Sequence, residues 1–79
     1  MNHEDILRII TAAPGYEIGL FGILVIYRLE NGKYTVIEDP TEPNAVETLF
    51  DDPEKAVAKF MEVREARKLG YDFETVSSN

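Results

Sequence analysis

Hydrophobic positions along the chain follow two different periods, and the places where the period changes mark the elements. Near the start, Ile6, Leu7, Ile9, Ile10 and Ala13 fall on one stripe at helical spacing. Asn2 stands in front of them as an N-cap, with Glu4 and Asp5 in the first turn, where carboxylates favour the positive end of the helix dipole. The spacing predicts a helix over residues 3–12, ended by Pro14-Gly15.

From Glu17 to Glu30 the residues are β-branched and aromatic, and the same pattern resumes from Lys33 to Asp39 after Asn31-Gly32. Asn-Gly is the preferred pair for a two-residue type I′ hairpin loop, in which both residues take positive φ. That turn predicts Glu30 opposite Lys33, Leu29 opposite Tyr34, Tyr27 opposite Val36 and Ile26 opposite Ile37. Directly opposed residues share a face and alternate residues change face. One face is then expected to hold Phe21, Ile23, Val25, Tyr27, Leu29, Tyr34 and Val36. The other would hold Ile18, Leu20, Leu24, Ile26 and Ile37, diluted by Arg28, Thr35, Glu30 and Lys33. Gly19 and Gly22 interrupt the first strand, as at a bulge or a close backbone approach.

Pro40-Thr41-Glu42-Pro43-Asn44 reads as a stiff loop, and Ala45 to Phe50 alternates as a short third strand. Asp52 is placed to cap a second helix, with Pro53 at its first position and Glu54 in its first turn. Ala56, Val57, Phe60, Met61 and Val63 form its apolar stripe, with Ala66 and Leu69 below. Arg64, Arg67 and Lys68 lie in its last turn, and Gly70 would end it as a left-handed cap. The helix is expected from Pro53 to Lys68. Tyr71 and Phe73 follow as aromatics that would pack back on the helix or the sheet.

These elements predict an α+β fold in the order α-β-β-β-α, a three-stranded antiparallel meander with two helices on one face. The expected core is Ile6, Ile10, Phe21, Ile23, Val25, Val36, Val57, Phe60 and Met61. Residues 1–74 would form one small domain and residues 75–79 a disordered C-terminal tail. A chain of 79 residues has room for one core only.

Composition narrows the chemistry. Apolar residues make up 44% and charged residues 29%, as in ordinary globular proteins, and there is no cysteine. Disulfide scaffolds, thiolate metal sites and cysteine nucleophiles are thereby excluded, and a reducing, cytoplasmic setting is expected. The acidic start, His3-Glu4-Asp5, has the wrong sign for the n-region of a secretory signal. The longest apolar stretch, Leu20 to Tyr27, falls well short of the roughly 20 residues that a membrane helix requires. Fifteen acids against eight bases leave a net charge of −7, which repels phosphate backbones.

The α-β-β-β-α order resembles that of double-stranded RNA-binding domains, and Phe50 to Phe60 (FDDPEKAVAKF) has the strand-to-helix placement of their basic helix start. The resemblance implies RNA recognition by shape. Asp51, Asp52 and Glu54 stand here, however, where lysines would face phosphates, so the electrostatic contribution is missing and no nucleic-acid partner is expected.

Catalytic residue types are sparse. His3 lies near the chain start, and serine occurs only at Ser77 and Ser78, so neither a hydroxyl triad nor a proton-transfer pair has candidates. The carboxylates follow no calcium-loop spacing and have no zinc co-ligand beside them. Gly19-x-x-Gly22 lies inside a strand pattern and is no phosphate cradle. Neither a catalytic role nor a cofactor is expected.

Charge placement is the most distinctive feature. Glu38, Asp39, Glu42, Glu47, Asp51, Asp52 and Glu54 lie between Tyr34 and Lys55 with no lysine or arginine among them. Such a run is ordinarily a solvated loop with helix-capping duties. Its functional reading is an anionic surface, residues 38–54, that docks a basic protein partner, so that the protein is a non-catalytic regulator or inhibitor. The alternative is a homo-oligomeric accessory subunit that associates through the apolar sheet face containing Ile18, Leu20, Leu24, Ile26 and Ile37.

Overall fold

The structure, a computed structural model, describes residues 2–12, 15–69 and 74–78. Helix α1 (His3–Ala12) is followed by strands β1 (Tyr16–Leu20), β2 (Leu24–Arg28), β3 (Tyr34–Glu38) and β4 (Val46–Phe50). Helix α2 (Pro53–Ala66) and strand β5 (Glu74–Ser78) complete the chain order. The fold is α+β, with a helix, an antiparallel meander and a second helix in the expected sequence. The sheet order is β4-β3-β2-β1-β5.

The helix starts form as their residues dictate. Asn2 Oδ1 accepts the Asp5 N–H at 2.9 Å, and the Asn2 carbonyl accepts the Ile6 N–H at 3.1 Å. Asp52 has extended φ/ψ and its Oδ1 accepts the Glu54 N–H at 2.9 Å, with Pro53 at the first helical position. At the other end of α2 the turn is made two residues before the expected glycine, with Lys68 at φ 52 and the Leu69 N–H on the Arg64 carbonyl. Gly70, Tyr71 and Phe73 lie outside the described residues.

Three expectations for the sheet are corrected. First, Glu17 to Glu30 is not one strand. Phe21 and Gly22 both take positive φ, 55° and 69°, and the Ile23 N–H bonds the Leu20 carbonyl at 2.9 Å, closing a tight turn between β1 and β2. Two positive φ values are the mark of the type I′ turn expected ten residues later. Second, Glu74–Ser78 form β5, which takes in residues 75–78 of the tail expected to be disordered (75–79) and pairs Val76 with Ile18 and Thr75 with Gly19 on the outer edge of β1. Splitting the long strand left β1 with an unpaired edge, and the β-branched Thr75-Val76 pair suits that position.

The third correction is the register. The loop between β2 and β3 has three residues, not two. The Leu29 carbonyl accepts the Gly32 N–H at 3.0 Å, and the Leu29 N–H bonds the Lys33 carbonyl at 2.8 Å. Only Gly32 takes positive φ, 88°. This is a type I turn closed by a left-handed glycine, the usual three-residue hairpin. Arg28 therefore pairs with Tyr34, Tyr27 with Thr35, Ile26 with Val36 and Val25 with Ile37, each one residue from the expected partner.

A one-residue slip exchanges faces. The residues that share a side with Tyr34 and Val36 are Leu24 and Ile26, and both helices pack there. Ile18, Leu20, Leu24 and Ile26 are fully buried in one cluster with Ile6, Ile10, Val36, Ala56, Val57 and Phe60. Four of the five residues expected to form an open oligomer face are thus the middle of the core, and the fifth, Ile37, lies on the opposite face beside Val25. Of the expected core, Ile6, Ile10, Val36, Val57 and Phe60 are buried, whereas Ile23 and Met61 pack at its margin. Val25 is half-buried on the far face and Phe21, in the turn, is 52% exposed.

Chemical denaturation checks the register. Leu24→Ala should cost about 2–5 kcal/mol, the range for a fully buried leucine, and Val25→Ala about 1 kcal/mol or less. The reverse order would restore the two-residue loop.

Candidate functional site

The sheet has one face packed by helices and one without them. Its residues on the second face form two rows across the strands: Glu17, Tyr27, Thr35 and Leu49 in one, Gly19, Val25, Ile37 and Glu47 in the other. Thr75 and Ser77 of β5 extend the rows by register. Val25, Tyr27 and Ile37 are half-buried by their neighbours, and Leu49 is 55% exposed. Among the described residues no helix packs on this face. The result is an apolar belt across β2, β3 and β4 with a carboxylate near each margin, Glu17 on β1 and Glu47 on β4.

Thr35 anchors the belt. It is fully buried between Tyr27 and Leu49 in its row, and its Oγ1 donates to Glu47 Oε2 at 2.7 Å. That bond satisfies the buried hydroxyl and holds one carboxylate oxygen over the sheet.

The structure divides the seven-carboxylate run. Asp39 follows β3 with φ 53; its N–H bonds the Ile23 carbonyl at 2.7 Å, and its two carboxylate oxygens accept from the Arg67 guanidinium at 3.1 and 3.2 Å. It thereby ties the β1–β2 turn to the end of α2, in the bidentate geometry that suits arginine. Asp52 caps α2, and Glu54 Oε2 lies 2.9 Å from His3 Nε2, joining the starts of the two helices. Asp51 pairs with the Lys33 ammonium across the β2–β3 loop. Glu47 holds Thr35. The side-chain carboxylates of Glu38 and Glu42 have no hydrogen-bond or ion-pair partner among the described residues.

The run is also divided in space. Glu38, Asp39 and Glu42 sit at the end of the sheet nearest Arg67, whereas Asp51, Asp52 and Glu54 sit at the opposite end, a five-residue strand away, or about 17 Å. Only Glu47 of the seven belongs to the helix-free face. Residues 38–54 therefore do not assemble into one continuous anionic patch.

Sequence reasoning missed the His3–Glu54 and Asp39–Arg67 pairs because their partners are 51 and 28 residues apart. It placed Arg64 with Arg67 and Lys68 in the last turn of α2 and did not foresee that its side chain turns inward, 1% exposed, with Nη1 3.9 Å from Met61 Sδ. Among the described residues no three potential ligands converge on a metal position. No helix among them is long and apolar enough to cross a membrane. Comparison with protein-family models, curated proteins and solved structures finds no match to the chain.

The Lys33 hydrogen bond, with the lysine's charge adding to it, holds the Asp51 carboxyl below the usual aspartate range. A lowered folded-state value means that this pair contributes stability above the unfolded-state pKa and loses it as pH falls through the folded one. Carbon-detected titration should place the Asp51 midpoint below ordinary aspartate, and Lys33→Met should return it upward. An unmoved midpoint would show that the pair does not form in solution.

Proposed function

We propose that this protein is a non-catalytic interaction module that docks a basic protein partner on the helix-free face of its sheet. The observation that carries this reading is the belt of Val25, Tyr27, Ile37 and Leu49, left without a covering helix and edged by Glu17 and Glu47. An antiparallel sheet with one solvated face ordinarily alternates apolar with polar residues. Here three of the four outward positions of β2 and β3, Val25, Tyr27 and Ile37, are apolar or aromatic instead, and the fourth, Thr35, is fully buried.

Charge supports a basic partner. No lysine or arginine occupies a strand position on this face in β1 to β4, the two charged positions there are glutamates, and the chain carries −7 overall. A cationic surface with an apolar centre would meet the belt with its hydrophobic groups and the two glutamates with its lysines or arginines. Glu47 is already oriented by Thr35, so pairing with a cation costs less side-chain entropy than it would for a free glutamate. Asp39, Asp51, Asp52 and Glu54 retain structural duties in this scheme.

Capture of partners by immobilised protein tests the proposal through its dependence on named residues. The Tyr27→Ser/Leu49→Ser variant should lose about tenfold or more of a partner's binding, since truncating central aromatic and aliphatic contacts typically costs over 1 kcal/mol each. The Glu17→Gln/Glu47→Gln variant should weaken binding and flatten its salt dependence. Neutralising Glu42 and Asp51 should leave it nearly unchanged. A captured set indifferent to the first variant while the variant stays folded overturns the proposal.

A further inference from the structure

Strand β4 forms one outer edge of the sheet, so one side of its backbone pairs with β3 and the other faces outward. Exposed edges recruit further strands unless they are blunted by charged side chains, lysine above all, by proline, a bulge or a covering element. Val46-Glu47-Thr48-Leu49-Phe50 contains no lysine, arginine or proline, its one charge, Glu47, accepts a hydrogen bond from Thr35 of the neighbouring strand, and its regular register with β3 leaves no bulge. Val46 and Leu49 are 52% and 55% exposed, two of the three large hydrophobic residues that stand out from the surface among the described residues.

We infer that β4 pairs with β4 of a second copy, antiparallel and about a twofold axis through Thr48, joining the two sheets into one. A twofold axis normal to the sheet can pass only through a residue pair, which limits the registers. Centring on Thr48 is the one choice that pairs all five strand residues: Val46 with Phe50, Glu47 with Leu49, and Thr48 with its own copy.

Charge selects the same register. Centring on Glu47 would oppose two identical carboxylates, and centring on Leu49 would set Asp51 against Glu47. Centring on Thr48 places Glu47 beside an apolar residue, Asp51 beside Ala45 and Asp52 beside Asn44. The Thr48 pair is a favourable cross-strand contact, and Val46 and Phe50 cover each other on the helix side. The two Glu47 side chains become diagonal neighbours, and each copy carries −7, so association strengthens as salt rises. Docking of a basic partner has the opposite salt dependence. The interface is a single strand and lies at the small end of specific interfaces, which makes the dimer a weak one. It also sets two helix-free faces side by side on one continuous sheet.

Sedimentation equilibrium of the full chain up to about 1 mM, the range in which small interfaces associate, tests the inference. Wild type should pass from monomer to dimer and do so more readily at high salt. Leu49→Lys puts a cation opposite Glu47 of the partner twice over, and Leu49→Glu puts a carboxylate there. The lysine variant should associate about tenfold more tightly than the glutamate variant at high salt. Val46→Lys and Val46→Glu, both opposite Phe50, should weaken association alike. All four substitutions are at half-exposed positions, and unchanged circular dichroism checks that each folds. A monomer throughout, equal losses in both Leu49 variants, or the same lysine-over-glutamate ordering at Val46 would each overturn it. The readout involves no other protein, so such a failure leaves the docking proposal for the sheet face standing.

Discussion

The structure depends on the three-residue turn between β2 and β3. Glu30, Asn31 and Gly32 close the hairpin with a single left-handed residue, Gly32 at φ 88, and this sets which residues of β2 lie opposite Tyr34 and Val36. With that register, Leu24 and Ile26 join Ile18 and Leu20 under the helices, and the sheet acquires a core on one side only. A loop shorter by one residue would have turned Val25 and Tyr27 inward. Since strand side chains alternate with a period of two, no intermediate outcome exists. The face proposed for docking is what remains after this choice.

The acidic middle of the chain acquires a different meaning once folded. Read along the sequence it is one block of negative charge; in three dimensions most of it is fastened to particular groups. Asp39 ties α2 to the turn beneath the sheet, Asp52 and Glu54 organise the helix starts, Asp51 holds Lys33, and Glu47 satisfies Thr35. Exposed pairs of this kind contribute little each, and their effect is mainly to hold geometry. What is left for the proposed docking is more local, Glu17 and the Thr35-held Glu47 beside an apolar belt, and in that proposal it is the belt that distinguishes this surface from a merely solubilising one.

Most elements were legible from the residues. Helix α1 and the start of α2 came from stripes and caps that act within one or two turns, and their expected bounds match closely. The turn at Phe21-Gly22 was visible only as a glycine inside a strand pattern, because a bulky aromatic at positive φ is not what a turn is expected to contain. The candidate site was half legible. Glu47 and Leu49 were marked by their strand, but the face they serve was assigned to the wrong set of neighbours.

By itself the sequence determined the class of fold, the two helices, the strand-rich middle and the absence of cysteine chemistry, since each follows from local periodicity, capping or composition. Only the tertiary structure decided the hairpin register, the fifth strand, the partners of Asp39, His3 and Arg64, and which sheet face lies open. The physical reason is the same throughout. Both faces of β2 are apolar enough to be buried, so hydrophobicity could not choose between them, and the choice passed to a backbone turn and to contacts between residues far apart in the chain.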